Sequence, residues 1–90
     1  MAKINVDYQT LISYGKDVQS LSSEYQNEIN NIYSIVDDLK RTWTGTAAER
    51  FTSNIEKYKS DYEKFGKTIQ QFGELLESVG RDYQRIEDEL

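Results

Sequence analysis

The sequence contains no cysteine, no histidine and no proline. Without cysteine there is neither a disulfide nor a thiolate metal ligand. Without histidine the commonest general base and the commonest metal ligand are both missing. Without proline nothing within the chain forbids long uninterrupted helices. Basic residues are the minority, 11 Lys and Arg against 16 Asp and Glu, for a net charge of −5. That balance argues against a nucleic-acid or anionic-membrane partner, since each is recognised by a basic patch. Apolar runs stay as short as Ile35-Val36 and Leu75-Leu76, so no segment is expected to insert stably in a membrane. The first residues lack the apolar core and small-residue cleavage site of a secretory signal. Any export is therefore expected to proceed without a cleavable signal peptide, from synthesis in the cytoplasm. Ninety residues make a single domain, and so short a chain buries only a modest core of its own.

What the sequence has in abundance is helical periodicity. In the second half apolar residues fall at Phe51, Ile55, Tyr58, Tyr62, Phe65, Ile69, Phe72, Leu76, Val79, Tyr83, Ile86 and Leu90. The steps alternate between four and three, the seven-residue repeat of a coiled coil. The first half carries Leu11, Tyr14, Val18, Leu21, Tyr25, Ile29, Ile32, Val36, Leu39 and Trp43. Two successive steps of four, at Leu21-Tyr25-Ile29, form a stutter, which locally unwinds a supercoil. Tyr33 and Ile35 widen the apolar face there, as expected of a stretch that touches two neighbours.

The punctuation divides the chain into two. Asn5 or Asp7 can cap a first helix, and Lys40 and Arg41 place positive charge in its last turn. Gly45 supplies a turn conformation that other residues resist. Thr46-Ala47-Ala48-Glu49 reads as a capping box, Thr46 at the N-cap and Glu49 reaching back. The spacing predicts helices over about 6–41 and about 47–88, joined by a Trp43-Thr44-Gly45 turn at about 42–46. The expected fold is all-α, an antiparallel hairpin of two long helices that share their apolar stripes as one seam. Trp43 is expected to be a large core anchor. A lone hairpin is marginal at this size, so dimerisation into a four-helix bundle is the expected completion. Gly66, Gly73 and Gly80 recur every seven residues and share one face of the second helix. Each costs about 1 kcal/mol against alanine within a helix, which is expected either of close approach by a neighbouring helix, such as one from a partner chain, or of weak selection on an exposed face.

Length, a central Trp43-x-Gly45, a helical hairpin, acidic charge and no signal peptide together resemble the WXG family. Its members are the early-secreted-antigen-like substrates of type VII secretion in Gram-positive bacteria and mycobacteria. The resemblance covers the whole chain. It implies export as a folded helical-hairpin dimer arranged as a four-helix bundle. It also implies a secretion signal resembling Tyr-x-x-x-Asp/Glu near the end of the second helix, which Tyr83 and Glu87 fit, one turn apart on one face. Tyr33 and Asp37 match the same pattern, but at a mid-helix position unlike that of the family signal. A homodimer is the first expectation and a heterodimer with a related helical protein its alternative. A type VII secretion ATPase is the implied receptor. In bundles of this kind the W-x-G turn of one chain can lie near the C-terminal end of the other.

The expected function is that of a non-enzymatic secreted protein, a virulence or competition factor or an escort for a co-secreted partner. The alternatives are an intracellular helical-bundle adaptor and the heterodimeric partner of a larger secreted toxin. No catalytic residue, metal site or cofactor is expected. Acids such as Asp37, Asp38, Glu87, Asp88 and Glu89 read as a solvated helix face.

Overall fold

The structure, a computed structural model, describes residues 6–89. Two helices account for nearly all of them, α1 (Tyr8–Thr42) and α2 (Thr46–Glu89), packed antiparallel in a rod of 68 × 25 × 17 Å. Asp7 caps α1, accepting a hydrogen bond from the Thr10 amide at 2.7 Å; Asn5, the other candidate cap, lies outside the described residues. That bond favours the ionised carboxylate and holds the Asp7 pKa below its ordinary value. At its other end α1 stops at an extended Trp43, whose amide still donates to the Leu39 carbonyl at 2.7 Å.

The start of α2 corrects one expectation. Gly45 turns the chain at φ +109°, where a side chain would clash. Its carbonyl already accepts the first helical bond, from the Glu49 amide at 3.0 Å. The cap position therefore belongs to Gly45. Thr46 is the first helical residue, and no reciprocal Thr46–Glu49 capping box forms among the described residues. Glu49 still puts negative charge in the first turn of α2, where the helix dipole favours it.

The seam between the helices is the larger correction. The expected apolar stripes supply only part of it: Ile29 and Val36 of the α1 stripe are buried, while most other large stripe residues are half-buried at its margin or exposed. Its buried residues are Gly15, Ser22, Ile29, Tyr33 and Val36 on α1, and Ala48, Gly66, Gly73 and Gly80 on α2. At the open end, away from the turn, the helices touch through their backbones. A β-carbon on Gly73 would lie 2.8 Å from the Gly15 carbonyl oxygen, and one on Gly15 would lie 2.5 Å from the Glu77 nitrogen. The three glycines of α2 thus face α1 of the same chain. Between them Ser22, 2% exposed, donates its hydroxyl to the Gly66 carbonyl at 2.9 Å. A side chain at residue 66 would run into Gln26 and Tyr25 of α1.

Toward the turn the small residues give out and larger ones fill the gap. Ile29, Tyr33 and Val36 are buried against α2 with Ala48. This is the physical content of the stutter. Past Tyr25 the apolar positions 29, 33 and 36 turn inward, while Ile32 and Ile35 keep facing outward. Tyr33 donates its hydroxyl to the Ile55 carbonyl at 2.7 Å, and the Lys59 ammonium sits 5.4 Å from its ring centroid. Burial raises the Tyr33 pKa above its ordinary value, and negative neighbours add to the effect. Polar ties cross the exposed margins of the seam. Gln19 donates to Glu77 at 2.8 Å, and Lys40 pairs with Glu56. The Arg81 guanidinium, 2.7 Å from Glu77, is the main cause of a lowered Glu77 pKa, with the Gln19 bond second.

Two outcomes are expected. Glycine to alanine within a helix ordinarily stabilises by about 1 kcal/mol. Here Gly73→Ala should instead destabilise by about 1–3 kcal/mol, the usual cost of overpacking, as read by urea denaturation. A Ser60→Ala control on the exposed side should be neutral or slightly stabilising. The titrations set a second expectation. Asp7 and Glu77 have depressed folded pKa values, so their contribution is full above the ordinary carboxylate range. It is lost as pH falls through the depressed values. Tyr33 has a raised one, so its contribution is full below the ordinary phenol value and lost as pH rises through the folded value. The thermal midpoint should fall on both limbs, and Glu77→Gln should flatten the acid limb alone.

Candidate functional site

Because small residues make the open half of the seam, and only Ile29, Tyr33 and Val36 are buried toward the turn, most large apolar side chains lie elsewhere. On α2 the row Phe51, Tyr58, Phe65, Phe72, Val79 and Ile86 is exposed throughout. The adjoining row Tyr62, Ile69, Leu76 and Tyr83 is exposed or half-buried at the margin of the seam. On α1 the matching rows are Tyr14, Leu21 and Ile35, exposed, and Leu11, Val18, Tyr25, Ile32 and Leu39, exposed or half-buried. All four rows face the same side of the hairpin, since in each helix they flank the same edge of the seam. Among the exposed members of these rows, exposure ranges from 39% at Phe51 to 61% at Ile35. This is a continuous apolar face along the rod, far larger than the scattered apolar residues of an ordinary surface. Local contacts hold its rings in place. Tyr25 meets Phe65 edge-on at 5.6 Å between centroids and donates its hydroxyl to the Tyr62 carbonyl at 3.1 Å.

The two motif-bearing ends sit at opposite ends of the rod. At the turn, Trp43 is 41% exposed and lies tilted against Phe51, 5.7 Å between ring centroids. Trp43 is therefore a half-exposed lid on the hairpin end rather than a core anchor. Ala48, 3% exposed, occupies the seam at this end, and the indole lies outside it against Phe51. Lys40, Trp43, Gly45, Ala48 and Thr52 line a shallow hollow beside it.

At the open end Tyr83 lies tilted against Tyr8, 6.3 Å between ring centroids. Tyr8 is the first residue of α1, so α2 runs on past the described start of its neighbour. Glu87 falls on the same seven-residue row as Gly66, Gly73 and Gly80, yet it is exposed because α1 no longer covers that row. Tyr83 and Glu87 thus present a partly exposed ring and an exposed carboxylate on successive turns. The competing Tyr33 and Asp37 pair is different in kind, because the Tyr33 hydroxyl is committed inside the seam.

Among the described residues no group of three or more His, Cys, Asp or Glu is placed to hold a metal ion, and no helix is long and apolar enough to cross a membrane. Sequence reading missed Gly15 and Ser22. Their signal was the seven-residue spacing that links Gly15, Ser22, Ile29 and Val36, a row passed over because its first two members are not large apolar residues.

The hairpin is similar to solved structures of a secreted protein, EsxB, from Bacillus anthracis str. Sterne. The selenomethionine-labelled form superposes with a TM-score of 0.82 at 16% identity, covering 97% of this chain and 99% of that one. The wild-type form superposes with a TM-score of 0.79 at 17% identity, covering 93% and 97%. At that identity the likeness establishes the fold. Among curated proteins none matches the sequence. The sequence matches the WXG100 family, proteins of 100 residues with WXG, over residues 3–88, and the chain belongs to that family.

Proposed function

We propose that this chain is a non-enzymatic protein exported by a type VII secretion system, working through surfaces rather than chemistry. The observation that carries the proposal is the continuous apolar face on a hairpin of the WXG100 family. A second helical hairpin covers that face and completes a four-helix bundle, which is how such faces are buried. Tyr83 and Glu87 dock on the secretion ATPase, and Trp43 with Gly45 shapes the opposite end. The protein leaves the cell folded and without a cleavable signal peptide, as a secreted factor or as escort for a co-secreted partner. The exposure of Tyr83 and Glu87 supports the docking role, because a receptor can reach both without unfolding the hairpin.

Export is measured as the protein recovered from culture medium of the producing bacterium. Tyr83→Ala and Glu87→Ala are each expected to reduce it at least about tenfold, the scale on which truncating a docking anchor acts. Circular dichroism should show unchanged helix content. Asp37→Ala, in the competing motif, should be exported normally. Undiminished export of both Tyr83→Ala and Glu87→Ala would overturn the docking role of this pair, and absence of the parent protein from the medium would return the intracellular adaptor reading to first place.

A further inference from the structure

The four apolar rows contain a single charged residue. Between Leu21 and Ile35 the seven-residue row of α1 is interrupted by Glu28. Its neighbours in the adjoining row, Tyr25 and Ile32, are apolar, and Glu24 stands one turn before it at the edge of the face. Both carboxylates are exposed, and neither takes part in an ion pair among the described residues. Four residues apart on a helix, they repel one another. No Lys or Arg falls in the four rows. Whatever covers this face must therefore take Glu28 out of water, and nothing else on the face compensates it.

We infer that Glu28, with Glu24, selects the partner of the apolar face, disfavouring a second copy of this chain and favouring a hairpin that presents Lys or Arg at mid-helix. The inference rests on the pairing proposed above and names the chemistry of the partner. Symmetry supplies the argument. Two copies closing on themselves share a two-fold axis, and residues near the axis meet their own counterparts. If the hairpins run in opposite directions, α1 lies on α1. Its span, Tyr8–Thr42, is centred close to Tyr25, so Glu24 and Glu28 of both copies converge and four carboxylates share one crossing. If the hairpins run in the same direction, α1 lies on α2. The Tyr25–Tyr62 and Tyr33–Ile55 bonds fix the relative height of the helices. They bring Glu28 level with Tyr58 and Tyr62 of the second copy, with Asp61 at the edge. Lys57 and Lys64 stand a further row out, beyond Asp61. Neither arrangement provides a cation on the covered face. A single polar or charged residue in an otherwise apolar helical interface is a known means of specifying partner and register.

The test is sedimentation equilibrium of the chain, of an E24K/E28K copy, and of their equimolar mixture, at ~20 mM and ~500 mM salt. The mixture is expected to pair at least about tenfold more tightly than either protein alone, with the advantage shrinking at high salt. An E24Q/E28Q copy, which keeps the shape and removes the charge, should self-associate more tightly than the parent. Self-association of the parent left unchanged by E24Q/E28Q would overturn the selection role while leaving pairing itself intact; a mixture no tighter than the parent, with E24Q/E28Q still tighter, would overturn only the opposite-direction arrangement. Monomers in every solution would overturn the pairing reading as well.

Discussion

Everything in this hairpin follows from the contact between Gly15 and Gly73. Two helices can approach this closely only where neither carries a side chain, and here a β-carbon on either residue would overlap backbone atoms of the other helix. Close approach brings the Ser22 hydroxyl to the Gly66 carbonyl and the Leu11–Ile12 turn onto Gly80. It also fixes the rotation of each helix about its own axis. With small residues turned inward, the large apolar residues one row away cannot be buried by the same partner. The glycines thus do two things with one geometry: they hold α1 on α2, and they leave the apolar stripe uncovered.

That geometry explains which features were legible in the sequence. The two helices, the turn between them and the apolar rows follow from periodicity and from Gly45, and all are present. The assignment of the rows to the hairpin seam failed for a definite reason. A seven-residue repeat of large apolar residues announces that a face will be buried, not by whom. The seam announced itself differently, through small residues: the glycine row 66, 73 and 80 was legible as a close-approach face and meets α1, whereas Gly15 and Ser22 opposite were not, because the pattern of apolar size gives such residues no weight. Trp43 is a related case. A tryptophan near a turn reads as an anchor, but small Ala48 fills the seam there, and the indole finds Phe51 on the outside instead. The Thr46–Glu49 box failed on one dihedral angle, because Gly45 at φ +109° brings its own carbonyl into the helix.

The electrostatics of the hairpin are arranged around the same division. The ties between helices, Lys40 to Glu56 and Gln19 to Glu77, run along the exposed margins of the seam. Other cations settle against acids of their own helix, as Arg81 does with Glu77, Arg41 with Asp38 and Arg85 with Asp82. Exposed pairs of this kind contribute little to stability. Their effect is on what remains: the basic residues stand away from the apolar rows, and a lone acid, Glu28, stands within them.

The rod also separates the Trp43-x-Gly45 turn from the Tyr83 and Glu87 pair proposed as a docking signal. Trp43 and Gly45 occupy one end of a molecule 68 Å long, and Tyr83 with Glu87 occupies the other. No bending of two packed helices can bring these ends together within one chain. A receptor that reads both at once therefore reads two chains, laid side by side in opposite directions. In that arrangement the pairing of the apolar faces comes before recognition, and an unpaired hairpin would present only half of the docking surface. The small-residue seam is then the element on which recognition ultimately rests, because it keeps the pairing face turned outward in the isolated chain.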